Sequence, residues 1–265
     1  MAPKESPAGR YKKWIAGQGN SALTGLESVG LRHIGHLALA SGEHAAGLET
    51  LLQSPRLMPV PSMTIARSLV EIGVEICSLL DPSLSDEERT TRLAAAFLFS
   101  VQGGIPTLLE TKSTHDEVRV KSARDDAIDF MSKAGMVFKL NSLGQAQNVQ
   151  FGSAKANITP KVTDLLNAYS PRTAAAYQIF SGATHARTWM LSGLEGGAPL
   201  ILGSIILPLL DLADSVTQSL CGYCGVDEST YASKTHFRRI AISRRLPGGE
   251  RHEVADWRHY RDCHV

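Results

Sequence analysis

Apolar residues recur at helical spacing along most of this chain, and proline and glycine divide the pattern into segments. Leu31, Ile34, Leu37, Leu39, Leu48, Leu51 and Leu52 predict a long first helix from Ala22 to Leu52, broken by Ser54-Pro55 and Pro59-Val60-Pro61. Ser62 can cap a second helix that runs to Leu80 and stops at Asp81-Pro82. Ser85 and Glu88 form an S-x-x-E capping box that opens a third helix to about Val101, where Gly103, Gly104 and Pro106 interrupt the period. Thr114 and Glu117 repeat the box and open a fourth helix to about Lys133. Thr159-Pro160 and Ser170-Pro171 each place a cap residue before a proline at the first helical position. The second of these predicts a helix to about Gly193, and a last helix spans about Pro199 to Cys221.

The helical period is lost between Gly135 and Thr159, where Met136–Leu140 and Val149–Phe151 predict a small β-hairpin. The resulting expectation is an all-α, multi-helix bundle with a β-hairpin insertion. Residues 1–21 are basic without an apolar core, which predicts a disordered N-terminal arm and not a secretory signal. Residues 22–225 are expected to form the helical bundle domain. Residues 226–265 hold eight Lys or Arg, six Asp or Glu and four of the nine histidines, with few aliphatics. That composition predicts a mobile C-terminal tail, and its Phe237, Arg238, Arg239, Arg244, Arg245, Trp257 and Tyr260 could contact phosphates.

A net charge of +1 over 265 residues gives no global attraction to nucleic acid or membrane. The longest apolar run, Ala198 to Leu210, spans only about 20 Å as a helix and contains Pro208. A kinked core helix fits it better than a membrane span. With four cysteines and no export signal, a cytosolic protein without disulfides is expected.

Two narrow polar stripes change this picture. At 100° per residue, Arg67, Glu71, Glu75 and Ser78 cover about 80° of an otherwise apolar helix. Tyr177, Ser181, Thr184, His185, Thr188 and Ser192 cover a similar arc of another and include no charged group. If the stripes face each other, they form a buried polar site. In a catalytic reading His185 is the acid/base, Glu71 orients it, Arg67 binds phosphate and Ser181 supplies a hydroxyl within reach of the imidazole. In an architectural reading the same residues only fix helix register.

Other chemistries lack their signatures. Ser181-x-x-x-His185 has no G-x-S-x-G context, so a serine hydrolase is not expected. No Glu-x-x-His pair supports a di-iron centre, and His33 and His36 lack the glutamate of a metalloprotease helix. Cys221-Gly-Tyr-Cys224 has zinc-knuckle spacing without a second compact pair, so no metal and no cofactor are expected.

The segments Ala66-Arg67-Ser68-Leu69-Val70-Glu71 and Ser181-Gly-Ala-Thr-His185 resemble a loose group of bacterial all-helical proteins over about residues 30–225. These are in turn similar to HEPN-type bundles, and that resemblance implies a metal-independent ribonuclease or a defence component. HEPN nucleases place an arginine four to six residues before the histidine, and no such arginine precedes His185. The expected function is therefore phosphodiester cleavage of RNA if the site is catalytic, or a non-catalytic interaction or regulatory module if it is not. RNA or a protein is the expected partner, membrane is not, and an oligomer is compatible with the sequence.

Overall fold

A computed structural model describes residues 3–55, 58–110, 114–187 and 198–243. Among these residues the chain forms nine helices and one small antiparallel sheet. In chain order they are α1 Pro7–Gly17, α2 Ser21–Gln53, α3 Pro59–Leu80, α4 Asp86–Glu110 and α5 Thr114–Lys133, followed by β1 Val137–Leu140, β2 Ala146–Phe151 and β3 Ala154–Asn157. Helices α6 Val162–Tyr169, α7 Pro171–Thr184, α8 Ala198–Cys224 and α9 Ser229–Ser243 complete the chain. The fold is all-α with a small β insertion, as the periodicity predicts.

Instead of one bundle over 22–225, the chain divides into two compact units. The first comprises Met1–Ala38, Ser78–Lys161 and Gly222–Gly225, and the second Leu39–Cys77, Val162–Cys221 and Val226–Val265. The division is not visible in the sequence because the long helices α2, α3 and α8 each contribute residues to both.

In the first unit, the expected disordered arm is helical. Ser6 accepts a hydrogen bond from the Gly9 amide at 3.1 Å, and Pro7 stands at the first helical position. Tyr11 and Ile15, one turn apart, are buried with Leu23, Leu26, Leu93, Leu98 and Met131. Burying two such side chains contributes roughly 3–6 kcal/mol, enough to order a segment that is otherwise basic and polar. Helix α4 continues through Gly103 and Gly104 to Glu110, beyond its expected end. Glycines in a helix cost about 1 kcal/mol each, and the packing of α4 on α5, β2 and β3 outweighs that. Gln102 also fixes α4 to the sheet, donating to the Ala146 carbonyl and accepting from its amide.

The expected hairpin has a third strand. Phe138 pairs with Val149, and Val149 pairs with Ala156, in the order β1-β2-β3. Gly152-Ser153 makes the second turn with Gly152 at φ 57°, and the Glu87 carboxylate accepts from both the amide and the hydroxyl of Ser153 at 3.0 Å.

In the second unit Leu48, Met63, Ala66, Val70, Val74, Leu166, Phe180, Ile201, Ile205 and Leu212 form the core. A Cβ on Gly73 would lie 2.7 Å from Leu212, so glycine is what permits α3 and α8 to approach here. Ile201–Cys224 is long and apolar enough to cross a membrane by length and composition alone. Midway along it Asp211 and Asp214 pair with Arg239 of α9, and only 22% of its apolar stretch is buried, so it is not the fully buried core helix expected. The expected mobile tail is helical over Ser229–Ser243, and residues 244–265 of that expectation lie outside the described residues.

Candidate functional site

Arg67 and Glu71 lie one turn apart on α3, and Tyr177 lies on α7, all within the second unit. Arg67 Nε donates to Glu71 Oε1 at 2.8 Å, and the Tyr177 hydroxyl donates to the same oxygen at 2.8 Å. The Arg67 guanidinium also stands 5.8 Å from the Tyr177 ring centre. Its Nη1 lies 3.1 Å from His185 Nε2. Arginine has donors only, so this hydrogen bond requires an unprotonated Nε2, and the proton of the neutral ring sits on Nδ1.

How α7 ends explains the position of His185. The expected helix to Gly193 stops at Thr184, and His185 is its C-cap. The Ala186 amide bonds the Ala183 carbonyl at 3.0 Å and the Arg187 amide bonds the Gly182 carbonyl at 2.9 Å, the paired closure of a Schellman motif. Ala186 takes φ 48°, where glycine is usual. His185 itself still makes the helical bond to the Ser181 carbonyl, and the cationic Arg67 meets its ring at the negative end of α7.

The structure brings together three of the four expected site residues and changes their roles. Glu71 orients Arg67 and Tyr177, not His185. Ser181 enters through its backbone carbonyl, which accepts from the His185 amide at 3.1 Å, and among the described residues its hydroxyl has no partner. The cluster is also not a buried site: the side chains of Arg67 and Glu71 are 24% and 38% exposed, and His185 is exposed. Two long side chains with water-facing edges supply the solvation that full burial would remove.

Electrostatics follow these contacts. Burial works against the Arg67 cation, but hydrogen bonding and charge from Glu71 outweigh it and hold the guanidinium above its ordinary value. Burial, reinforced by Glu71, pushes the Tyr177 hydroxyl up and keeps it a donor. Of the remaining stripe residues, Glu75 is half-buried and Ser78 belongs to the first unit, where its carbonyl accepts from Arg92 at 2.9 Å. Thr184 bonds the Phe180 carbonyl at 3.0 Å, while Thr188 and Ser192 lie outside the described residues. Cys221 and Cys224 occupy the last turn of α8, and Cys263 with His252, His259 and His264 is outside the described residues.

One buried cation escaped the sequence reading, and a second found a different partner from the one expected. Arg89, 2% exposed, lies in the first unit and donates to the carbonyls of Leu79 at 3.1 Å and Asp81 at 2.8 Å. Arg239, expected among the tail residues that contact phosphates, instead bridges Asp211 and Asp214 in the second unit. Each had a readable signal: a cation within an apolar period for Arg89, and two carboxylates three residues apart on an apolar helix for Arg239. No family model, curated protein or solved structure matches this chain.

Proposed function

We propose that this chain is a cytosolic, non-catalytic interaction module in which Arg67, Glu71, Tyr177 and His185 act as a polar clip between α3 and the end of α7. One observation carries the reading: the imidazole nitrogen that a general base would use is engaged within the cluster. Arg67 holds His185 Nε2, and a single Glu71 oxygen accepts from both Arg67 and Tyr177. A general base must present a free lone pair to its substrate, and Nδ1–H cannot serve while Nε2 is so held.

A second reading, metal-independent RNA cleavage as the HEPN resemblance implies, draws on the 3.1 Å approach of Arg67 to His185 at an exposed edge. In it Arg67 releases His185 and turns to a phosphate. The two readings separate in one set of variants. The clip predicts coupling of roughly 0.2–1 kcal/mol between Arg67→Met and His185→Ala in a double-mutant cycle of urea unfolding, with RNA left intact by every protein. Cleavage by wild type that His185→Ala abolishes would replace the clip with the nuclease.

A further inference from the structure

Helix α9 contains the sequence Lys234-Thr235-His236-Phe237-Arg238-Arg239, in which two adjacent arginines have opposite fates. Arg239 is three-quarters buried and bridges Asp211 and Asp214 of α8. Thr235, one turn before it, is 2% exposed. Together they turn one side of α9 inward. Thr230, Lys234, Phe237 and Arg238 fall within about 100° of the remaining surface, and all four are exposed. Phe237 is 55% exposed, unusual for an aromatic ring, and stands between two cations. Neither Lys234 nor Arg238 forms an ion pair among the described residues.

Among the described residues, the two acidic residues of this segment do not neutralise this face. Asp227 is engaged at the start of α9, accepting from the amide of Ser229 at 3.1 Å and from its hydroxyl. Glu228 is half-buried in the turn before the helix. Asp211 and Asp214 are occupied by Arg239. What this face of α9 presents is the exposed Phe237 ring, edge-on to His236 at 6.1 Å, between two exposed cations.

We infer that this face of α9 is a docking surface for single-stranded RNA, with Phe237 stacking on a base and Lys234 and Arg238 meeting phosphates of the same strand. Any base offers a π-face, so a lone ring gives affinity without sequence readout. The two cations are about 6 Å apart along the helix axis, which lets them follow one backbone. A membrane surface fits less well, because an interfacial helix needs a broad apolar face and α9 exposes a single ring. The inference names a partner for the proposed module, but it rests on different residues from the clip. Loss of either leaves the other testable.

The test is fluorescence anisotropy of the full chain with a labelled oligouridine, across a salt series. Binding is expected at low salt, and Phe237→Ala should weaken it about tenfold. Lys234→Gln and Arg238→Gln should each weaken it and remove about 0.7 from the slope of log K against log salt, one phosphate contact apiece. All three positions are exposed, so the circular-dichroism melts should match wild type. His185→Ala should bind as wild type does, which separates this face from the clip. The inference is overturned by absence of binding at about 50 mM salt, by binding indifferent to Phe237→Ala and Arg238→Gln, or by a preference for phosphatidylserine vesicles over the oligonucleotide.

Discussion

Arg67 and Arg89 are both helical arginines beside tyrosine rings, yet their surroundings differ in every respect that sets energy. Arg67 is a quarter exposed, pairs with a carboxylate one turn away and touches an exposed imidazole. Arg89 is buried, and among the described residues it meets no carboxylate in an ion pair. Its partners are the Leu79 and Asp81 carbonyls, with the rings of Tyr11 and Tyr223 at 5.7 and 4.6 Å. Arg92, three residues on, donates to the Ser78 carbonyl at 2.9 Å. Two arginines from α4 thus satisfy three carbonyls where α3 ends. The negative end of a helix dipole serves them as a distributed counter-ion. Burial pulls the Arg89 guanidinium down from its ordinary value, and the nearby Tyr223 and Tyr11 hydroxyls and the Asp81 carboxylate oppose that pull. The more buried charge is therefore architecture, and burial alone is a poor guide to a functional site.

The largest expected effect tests that contrast. Arg89→Met leaves one buried and one partly buried carbonyl without this donor, the buried one costing about 1–3 kcal/mol. With the lost ring contacts, urea unfolding should show about 3 kcal/mol or more of destabilisation. Arg67→Met removes one half-exposed pair and should cost less than about 1 kcal/mol. Equal losses at the two positions would dissolve the distinction between a structural cation and a surface clip.

Backbone conformation gives a second, smaller contrast. The first unit places Gly152 at φ 57°, where a Cβ would also lie 2.5 Å from the Glu87 carboxylate. The second unit places Ala186 at φ 48°, beside His185. Left-handed backbone costs an L-residue about 1–2 kcal/mol, and glycine returns part of that gain through greater freedom in the unfolded chain. Ala186→Gly should therefore raise stability by up to about 1 kcal/mol and leave the Arg67–His185 contact in place. Gly152→Ala should lower stability by a similar amount or more. A destabilised Ala186→Gly, seen as a lower urea midpoint, would mean that the end of α7 is not held by the Schellman closure.

The same details show what could be read from the sequence. Helix existence was legible from the period and from some caps: the Ser85–Glu88 box forms with the Ser85 amide donating to Glu88 at 2.9 Å. Ser62, expected to cap the second helix, instead lies inside α3 and donates to the Met58 carbonyl at 2.8 Å, because the helix already starts at Pro59. Pro171 opens α7, although the Ser170 side chain makes no capping bond. Ser6-Pro7 is the same signal with Tyr11 and Ile15 behind it, and Gly152-Ser153 is a two-residue hairpin turn. Both could have been read from the chain. The end of α7 could not, since the αL position that stops it holds alanine, and nothing local distinguishes Ala186 from a helical residue. The pairing of Arg67 with His185, 118 positions apart, was legible only as two stripes in need of a partner.

Two carboxylates carry the smallest effect and give it opposite signs. Glu88 in the first unit accepts from the amide and hydroxyl of Ser85, which hold it below its ordinary 4.5. Its stabilising contribution is complete above 4.5 and is lost as pH falls through the lower folded value. Asp214 in the second unit is pushed above its ordinary 3.8 by burial, with Arg239 only partly opposing the shift. Between 3.8 and the raised value the folded chain binds more protons at Asp214 than the unfolded chain, so its contribution to stability falls as pH rises through that window. In melting curves from pH 7 to about pH 3, Glu88→Gln should remove part of the acid-side loss of stability, whereas Asp214→Asn should make that loss steeper. The Glu88 change should be slight, because an exposed capping carboxylate is well screened by solvent. If both substitutions move the acid limb in the same direction, burial of Asp214 against α9 does not outweigh its attraction to Arg239.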